Sequence, residues 1–123
     1  MTLPIKLQEI VDDIASMTRE EKLETLIAYA ETFPDLPERF KAEREKMEPV
    51  PECMTPVFLI AEKDSNDKIT FYFEIPKESP TVRGLASILL YGLNGCTLEE
   101  ILSVPADFYL AMNLHEAVSQ QRI

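Results

Sequence analysis

Two thiols, Cys53 and Cys96, and one imidazole, His115, are the soft nucleophiles of this chain. Cys53 stands in Pro49-Val50-Pro51-Glu52-Cys53-Met54-Thr55-Pro56, which opens into the apolar run Val57-Phe58-Leu59-Ile60-Ala61 before Glu62. Proline fixes its own φ and restricts the residue before it, so a loop held between Pro51 and Pro56 has few preferred shapes. A thiol on a stiff loop beside a strand-like run is a position suited to handling sulfur. The competing reading is that of most free cysteines, a small buried hydrophobe.

Other thiol chemistry asks for partners the sequence lacks. A cysteine hydrolase needs a histidine base oriented by a third group; His115 has no recognisable partner and reads as a solvent-facing residue near a helix end. A dithiol oxidoreductase needs a second thiol close by, and no C-x-x-C occurs. Structural zinc takes four ligands, whereas two Cys and one His supply three. There is no Gly-rich phosphate loop and no dinucleotide fingerprint, and no carboxylate pair stands apart as an acid–base couple. Carrying sulfur needs only one thiolate, access during transfer and shielding afterwards. A free thiol titrating near about 8.5 is only slightly ionised at neutral pH. The acidic neighbours Glu48 and Glu52 lower that fraction, so activation is expected to be completed by basic groups of a partner.

At 123 residues and 46% hydrophobic, the chain has the size and composition of one globular domain, 1–123. Twenty-two acidic against twelve basic residues give a net charge of −10. Binding to nucleic acid relies on clustered Lys and Arg that displace counterions, so this balance argues against it. It suits solubility, or docking on a basic protein surface. No apolar stretch reaches membrane-spanning length and Met1 to Ile10 lacks a signal-peptide core, which reads as a cytoplasmic chain with no membrane association. In that compartment thiols stay reduced, which disfavours a Cys53–Cys96 disulfide.

The elements that must position Cys53 follow from periodicity. Pro4 suits a first helical turn, and Leu7, Ile10, Val11, Ile14 and Met17 make one apolar face. Thr18-Arg19-Glu20-Glu21 is a capping box for a second helix, expected to carry Leu23, Leu26, Ile27, Ala30 and Phe33 inward and to stop before Pro34. The proline-punctuated, charged segment 34–54 reads as a surface connection with at most a short helical turn, Phe40 tucked against the body. Strands are expected over 57–62 and 69–75; the second alternates Ile69, Phe71, Phe73, Ile75 against Thr70, Tyr72, Glu74, a hairpin with one buried face. A helix from about Thr81 to Tyr91 is apolar nearly all round and is expected to cross the sheet as the central helix. Asn94-Gly95 stops it, and Thr97-Leu98-Glu99-Glu100 caps a short helix with Leu98, Ile101 and Leu102 inward. Cys96 between them reads as packing. Phe108 to Met112 and Leu114 supply further core contacts. The fold class is α+β, a small antiparallel β-sheet packed against several α-helices.

The order Cys53-x-Thr55-x-Val57-Phe58, a polar turn, a second strand, Glu78-x-x-x-Val82-Arg83-Gly84-Leu85, and Asn94-Gly95-x-Thr97-Leu98-Glu99-Glu100-Ile101 resembles the SufE family over nearly the whole chain. Glu52 stands where the family has glycine, Thr55 where it has serine, Phe58 for tryptophan, and Glu78 and Arg83 for aspartate and lysine. The loss of glycine before Cys53 alters the freedom of the loop. The family continues past the arginine matching Arg122 into a final helix, so this domain reads as short at its C-terminus, natural or truncated.

The resemblance implies a SufE-like fold and a sulfur acceptor. Cys53 would take persulfide sulfur from a SufS-type cysteine desulfurase, stimulate that enzyme, and pass the sulfur to an iron–sulfur scaffold complex. Such a chain is a carrier and activator with no autonomous turnover; pyridoxal phosphate belongs to the desulfurase, and no cofactor or metal is expected here. The resting thiol would turn inward near Val57, Phe58 and the central helix. Thr55, Glu78, Arg83 and Arg122 match positions that restrain the loop or touch the desulfurase. Their plainer reading is a helix-start acid at the positive end of the dipole for Glu78 and a surface arginine for Arg83. The rival for the whole chain is an acidic adaptor that docks on a partner without sulfur chemistry, Cys53 being structural.

Overall fold

A computed structural model describes residues 3–42, 45, 47–49, 57–105 and 108–112. Helix α1 spans Ile5–Ala15 with Pro4 as its N-cap, one position ahead of the expected first turn. Leu7, Val11 and Ile14 are buried, and Ile10 and Met17 pack against them half-buried. Helix α2, Arg19–Glu31, opens on the expected capping box: Thr18 N–H donates to Glu21 Oε1 at 2.8 Å and Glu21 N–H to Thr18 Oγ1 at 3.2 Å. Its inward face differs from expectation. Leu26, Ala30 and the following Phe33 are buried, but Leu23 and Ile27 are 44% and 47% exposed, and Lys22 is buried in their place. Positions 22, 26, 30 and 33 fall on one stripe of a 3.6-residue period; 23 and 27 lie a further 100° or so round the helix.

The sheet has three antiparallel strands in the order β1 (Glu48–Pro49), β2 (Phe58–Lys63), β3 (Ile69–Glu74). β2 and β3 run from Phe58↔Glu74 to Lys63↔Ile69, close to the expected hairpin. β1 was not foreseeable: it is two residues long, contains a proline and has no alternation to read. It pairs Glu48↔Leu59 and Pro49↔Phe58, and as an outer strand it tolerates the proline.

On β3, Ile69 is buried, as is Ile75 just after it, and Phe71 and Phe73 pack toward the helices. The opposite face, expected to be open, is partly covered. The single turn α3, Glu38–Lys41, presses buried Phe40 onto Tyr72 with ring centroids 4.8 Å apart. Arg39 lies over the Phe40 ring at 4.2 Å and makes two 2.7 Å hydrogen bonds to the Glu62 carboxylate.

Helix α4, Pro80–Leu93, is longer than expected at both ends and is the central element: α1, α2 and β3 all pack on it. Two glycines let the neighbours approach. A Cβ on Gly84 would sit 2.6 Å from the Leu26 carbonyl oxygen, and one on Gly92 would sit 2.7 Å from Leu7 Cδ1. The core divides into a larger cluster of Leu7, Val11, Ile14, Leu26, Ile88, Leu93 and Met112 and a smaller one of Phe33, Val57, Ile75, Ala86 and Leu90.

After α4 the chain closes one end of the sheet. Asn94 Oδ1 accepts from Phe71 N–H at 2.9 Å, Gly95 N–H donates to Ile69 O at 2.9 Å, and Ile69 N–H donates to Cys96 O at 2.7 Å. Gly95 has φ of 89°, a conformation that favours glycine. Helix α5, Leu98–Leu102, has the expected Thr97–Glu100 capping box. Its expected inward face is reduced to half-buried Ile101, because Leu98 and Leu102 are 53% and 74% exposed. A helix of five residues offers too little length for three inward positions. Cys96 is buried, in keeping with its reading as packing. A 3₁₀ turn over Phe108–Met112 brings Met112 into the larger cluster. Leu114 and His115 lie outside the described residues.

Candidate functional site

Cys53, Thr55 and Arg122 lie outside the described residues. The structure fixes instead where the chain leaves for Cys53 and where it returns. It leaves from Pro49, which pairs with Phe58, and Phe58 pairs in turn with Glu74. Both ends of the Cys53 segment therefore lie at the end of the sheet where β3 gives way to α4. The return is anchored by Val57, 4% exposed within the cluster of Phe33, Ile75, Ala86 and Leu90. Phe58, which follows it, is 36% exposed. The segment thus joins a short outer strand to a buried residue.

Arg83 lies at the same end. Its Nε and Nη2 donate to Ile75 O at 3.1 and 2.9 Å, and its guanidinium lies 4.9 Å from the Phe33 ring centroid. Half-buried in the first turn of α4, it ties the end of β3 and the residue closing α2 to the start of the central helix. Hydrogen bonds from a charged donor contribute about 1.5–3 kcal/mol, and the ring contact adds to that. These contacts make it a packed residue, not the free surface arginine of the plainer reading.

Glu78 is exposed in the turn before α4, one residue ahead of the Ser79 N-cap and so outside the first helical turn. The Ser79 hydroxyl makes no cap, though its backbone N–H donates to Pro76 O at 3.1 Å. The structure brings Glu78 and Arg83 to one strand–helix junction. Among the described contacts none joins the two side chains to each other.

The second thiol is placed differently. Cys96 sits at the Ile69 end of β3, five residues along the strand from Glu74 and so roughly 17 Å away at ~3.4 Å per residue. Its Sγ lies 3.9 Å from Gly92 O. Burial pushes its thiol up from the ordinary value, the Glu100 carboxylate pushes the same way, and Lys6 and Lys68 oppose them. A thiol held in its protonated form is a poor nucleophile. Among the described residues no group of three or more His, Cys, Asp or Glu could hold a metal ion, and no helix is long and apolar enough to cross a membrane.

Sequence reasoning misses two residues here. Phe33 reads as core, but not as the ring beneath Arg83; the Pro34 that follows it marks the helix end without revealing that contact. Asn94 reads as a helix stop, while its side chain also occupies the Phe71 amide. No signal at the level of sequence points to either partner.

Comparison with known proteins bears on the family and the fold. A family model described as SufE, Fe-S metabolism associated domain, matches residues 8–123. An uncharacterized SufE-like protein of Mycobacterium tuberculosis is 38% identical over 122 residues, covering 99% of this chain and 84% of its own. SufE-like protein 1, chloroplastic/mitochondrial, of Arabidopsis thaliana is 32% identical over 121 residues, 98% of this chain but 31% of that longer protein. The solution structure of a hypothetical protein from Thermus thermophilus superposes with a TM-score of 0.83 at 33% identity, covering 98% of this chain and 85% of that one. Sequence match, near-complete coverage and the α+β architecture agree, and the chain belongs to the SufE family, the Fe-S metabolism associated domain.

Proposed function

We propose that this chain is a sulfur acceptor that takes persulfide sulfur from a cysteine desulfurase onto Cys53. Family membership supports the sulfur and iron–sulfur context. The observation that carries the choice of residue is the contrast between the two thiols. Cys96 is buried in a hydrogen-bonded connection, whereas Cys53 belongs to a segment whose two ends are held at Pro49 and Val57, beside the Arg83 junction.

The transfer is a thiol exchange. The Cys53 thiolate attacks the terminal sulfur of the partner's cysteine persulfide; one S–S bond forms at Cys53, the partner's S–S bond breaks, and the partner's cysteine leaves as a thiolate. No net oxidation or reduction accompanies the step, and a thiol of an iron–sulfur scaffold removes the sulfur in the same way. The pyridoxal phosphate that releases sulfur from free cysteine resides on the desulfurase. With a net charge of −10, this chain docks on a basic surface, and basic groups there complete the ionisation of Cys53. Arg83 acts as a positioning residue through the Ile75 carbonyl. Exposed Glu78 meets the desulfurase, and Thr55 and Arg122 restrain the loop.

The test is intact-mass analysis after incubation with a desulfurase and cysteine. One added sulfur atom, removable by reductant, is expected on wild type and Cys96→Ala and not on Cys53→Ala. A folded wild type that gains no sulfur yet still stimulates the desulfurase would replace the carrier by an adaptor.

A further inference from the structure

The outer edge of β3 is only partly closed, and what remains open is a short docking edge. At the start of the strand, Ile69 N–H and C=O are taken by Cys96 and Gly95, and Phe71 N–H by the Asn94 side chain. Just past its end, Ile75 C=O is taken by Arg83. Because Phe71 turns its amide outward, the alternation of an antiparallel ladder turns Phe73 N–H and C=O the same way. Among the described residues nothing pairs with Phe71 C=O, Phe73 N–H or Phe73 C=O. Phe71 and Phe73 line a groove of about 480 Å³ together with Pro34, Asp35, Leu36 and Tyr91.

We propose that this groove binds an extended segment of a partner protein, which adds as a short strand to β3 with apolar side chains alternating with basic ones. Open main-chain donors and acceptors in a row select another backbone in the extended state. The lining, mostly apolar, takes alternate side chains, since successive residues of a strand point to opposite faces. Charge decides the rest. Asp35 and Lys6 both line the groove and offset each other locally, Lys6 donating to Asn94 O at 3.3 Å, so the balance is set by the chain's overall −10. A second copy of this chain would bring another −10 to the edge, so the occupant is basic. The site lies on the opposite edge of the sheet from β1.

The test uses the full chain and a capped heptapeptide of alternating lysine and valine, followed by NMR and amide hydrogen exchange. In the free protein the Phe73 amide exchanges fast. With peptide, saturable shifts are expected at Thr70 to Phe73, Leu36 and Tyr91, and the Phe73 amide becomes protected. Methylating alternate amides of the peptide removes the binding, replacing its lysines by glutamates weakens it, and Asp35→Lys weakens the lysine peptide about fivefold. Equal binding of the methylated or the glutamate peptide, or no saturable shift at all, overturns the proposal. A Phe73 amide already protected in the free chain overturns it too: protection that depends on protein concentration names a second copy as the occupant, and protection that does not names the chain's own remaining segments.

Discussion

The two connections that carry cysteines are attached at opposite ends of the sheet, one beside Glu74 and one beside Ile69. Between α4 and α5, residues 94–97 give their side chains and backbone to the sheet: Asn94 to Phe71, Gly95 and Cys96 to Ile69, Thr97 to the cap of α5. The connection from Pro49 to Val57 is described only at its anchors, a two-residue outer strand and one buried valine. The proposed function gives the two thiols different work. Where a segment's hydrogen bonds and burial serve the fold, as they do around Cys96, its thiol is a core side chain of raised pKa and a poor nucleophile.

The sharpest way to break this contrast is to exchange the consequences of the two cysteines. Cys53→Ala is expected to abolish sulfur uptake in a chain that still unfolds cooperatively in urea. Cys96→Ala is expected to keep uptake and lower stability by about 1 kcal/mol, as small deletions in a packed site do. If both variants took up sulfur equally, the assignment of Cys53 would fall.

Both connections depend on where α4 sits, and Gly84 sets one of its approaches. Gly84→Ala places a methyl group against the Leu26 backbone oxygen, which cannot rotate away. A loss of about 1–3 kcal/mol is expected despite alanine's better helix propensity. Gly92→Ala meets Leu7, whose side chain can shift in part, and is expected to lose less. Equilibrium unfolding of the pair would show which helix contact is the tighter.

Arg83 tests whether the Cys53 end of the sheet is held as firmly as the Cys96 end. Arg83→Met keeps most of the side-chain length but leaves Ile75 C=O without its charged donor, an expected loss of about 2 kcal/mol. Arg83→Lys keeps the charge without the paired donors and should recover only part of it. A positioning role further predicts slower sulfur acceptance in Arg83→Met at a protein concentration where desulfurase binding is unchanged; equal rates would leave Arg83 a purely structural residue.

Much of this was legible in the sequence wherever the cause was local. Thr18–Glu21 and Thr97–Glu100 announced their helices because a capping box is contained in four residues, and β3 announced itself by alternation. The apolar run of α4 marked a helix with neighbours on several sides. What failed was the choice between adjacent apolar positions. Leu23 and Ile27 read as inward, yet the tertiary contact with α4 selected the stripe through Leu26 and Ala30. β1 was invisible because its pairing with β2 is its only signal. At the site, the prolines and the family resemblance drew attention to Cys53, Glu78 and Arg83. The partners of Arg83 were hidden, because a backbone carbonyl and a distant ring leave no pattern in the chain.

The smallest expected effect bears most directly on the contrast. Burial raises the Cys96 thiol above its ordinary value, so the folded chain holds that proton at a pH where the unfolded chain has released it. In the window that opens near the ordinary thiol value of about 8.5 and closes at the raised folded value, the unfolded state binds fewer protons, and stability falls as pH rises. Below the window the contribution is fully present. Tyr29, also raised by burial, enters only above about 10, the ordinary tyrosine value. Measured by urea unfolding in a Cys53→Ala background, so that the slope belongs to one thiol, stability should decline as pH rises past about 8.5; adding Cys96→Ala should flatten the decline. An equal slope with and without Cys96 would mean that its thiol ionises as freely in the folded chain as in the unfolded one. The connection after α4 would then shield its cysteine no better than solvent does.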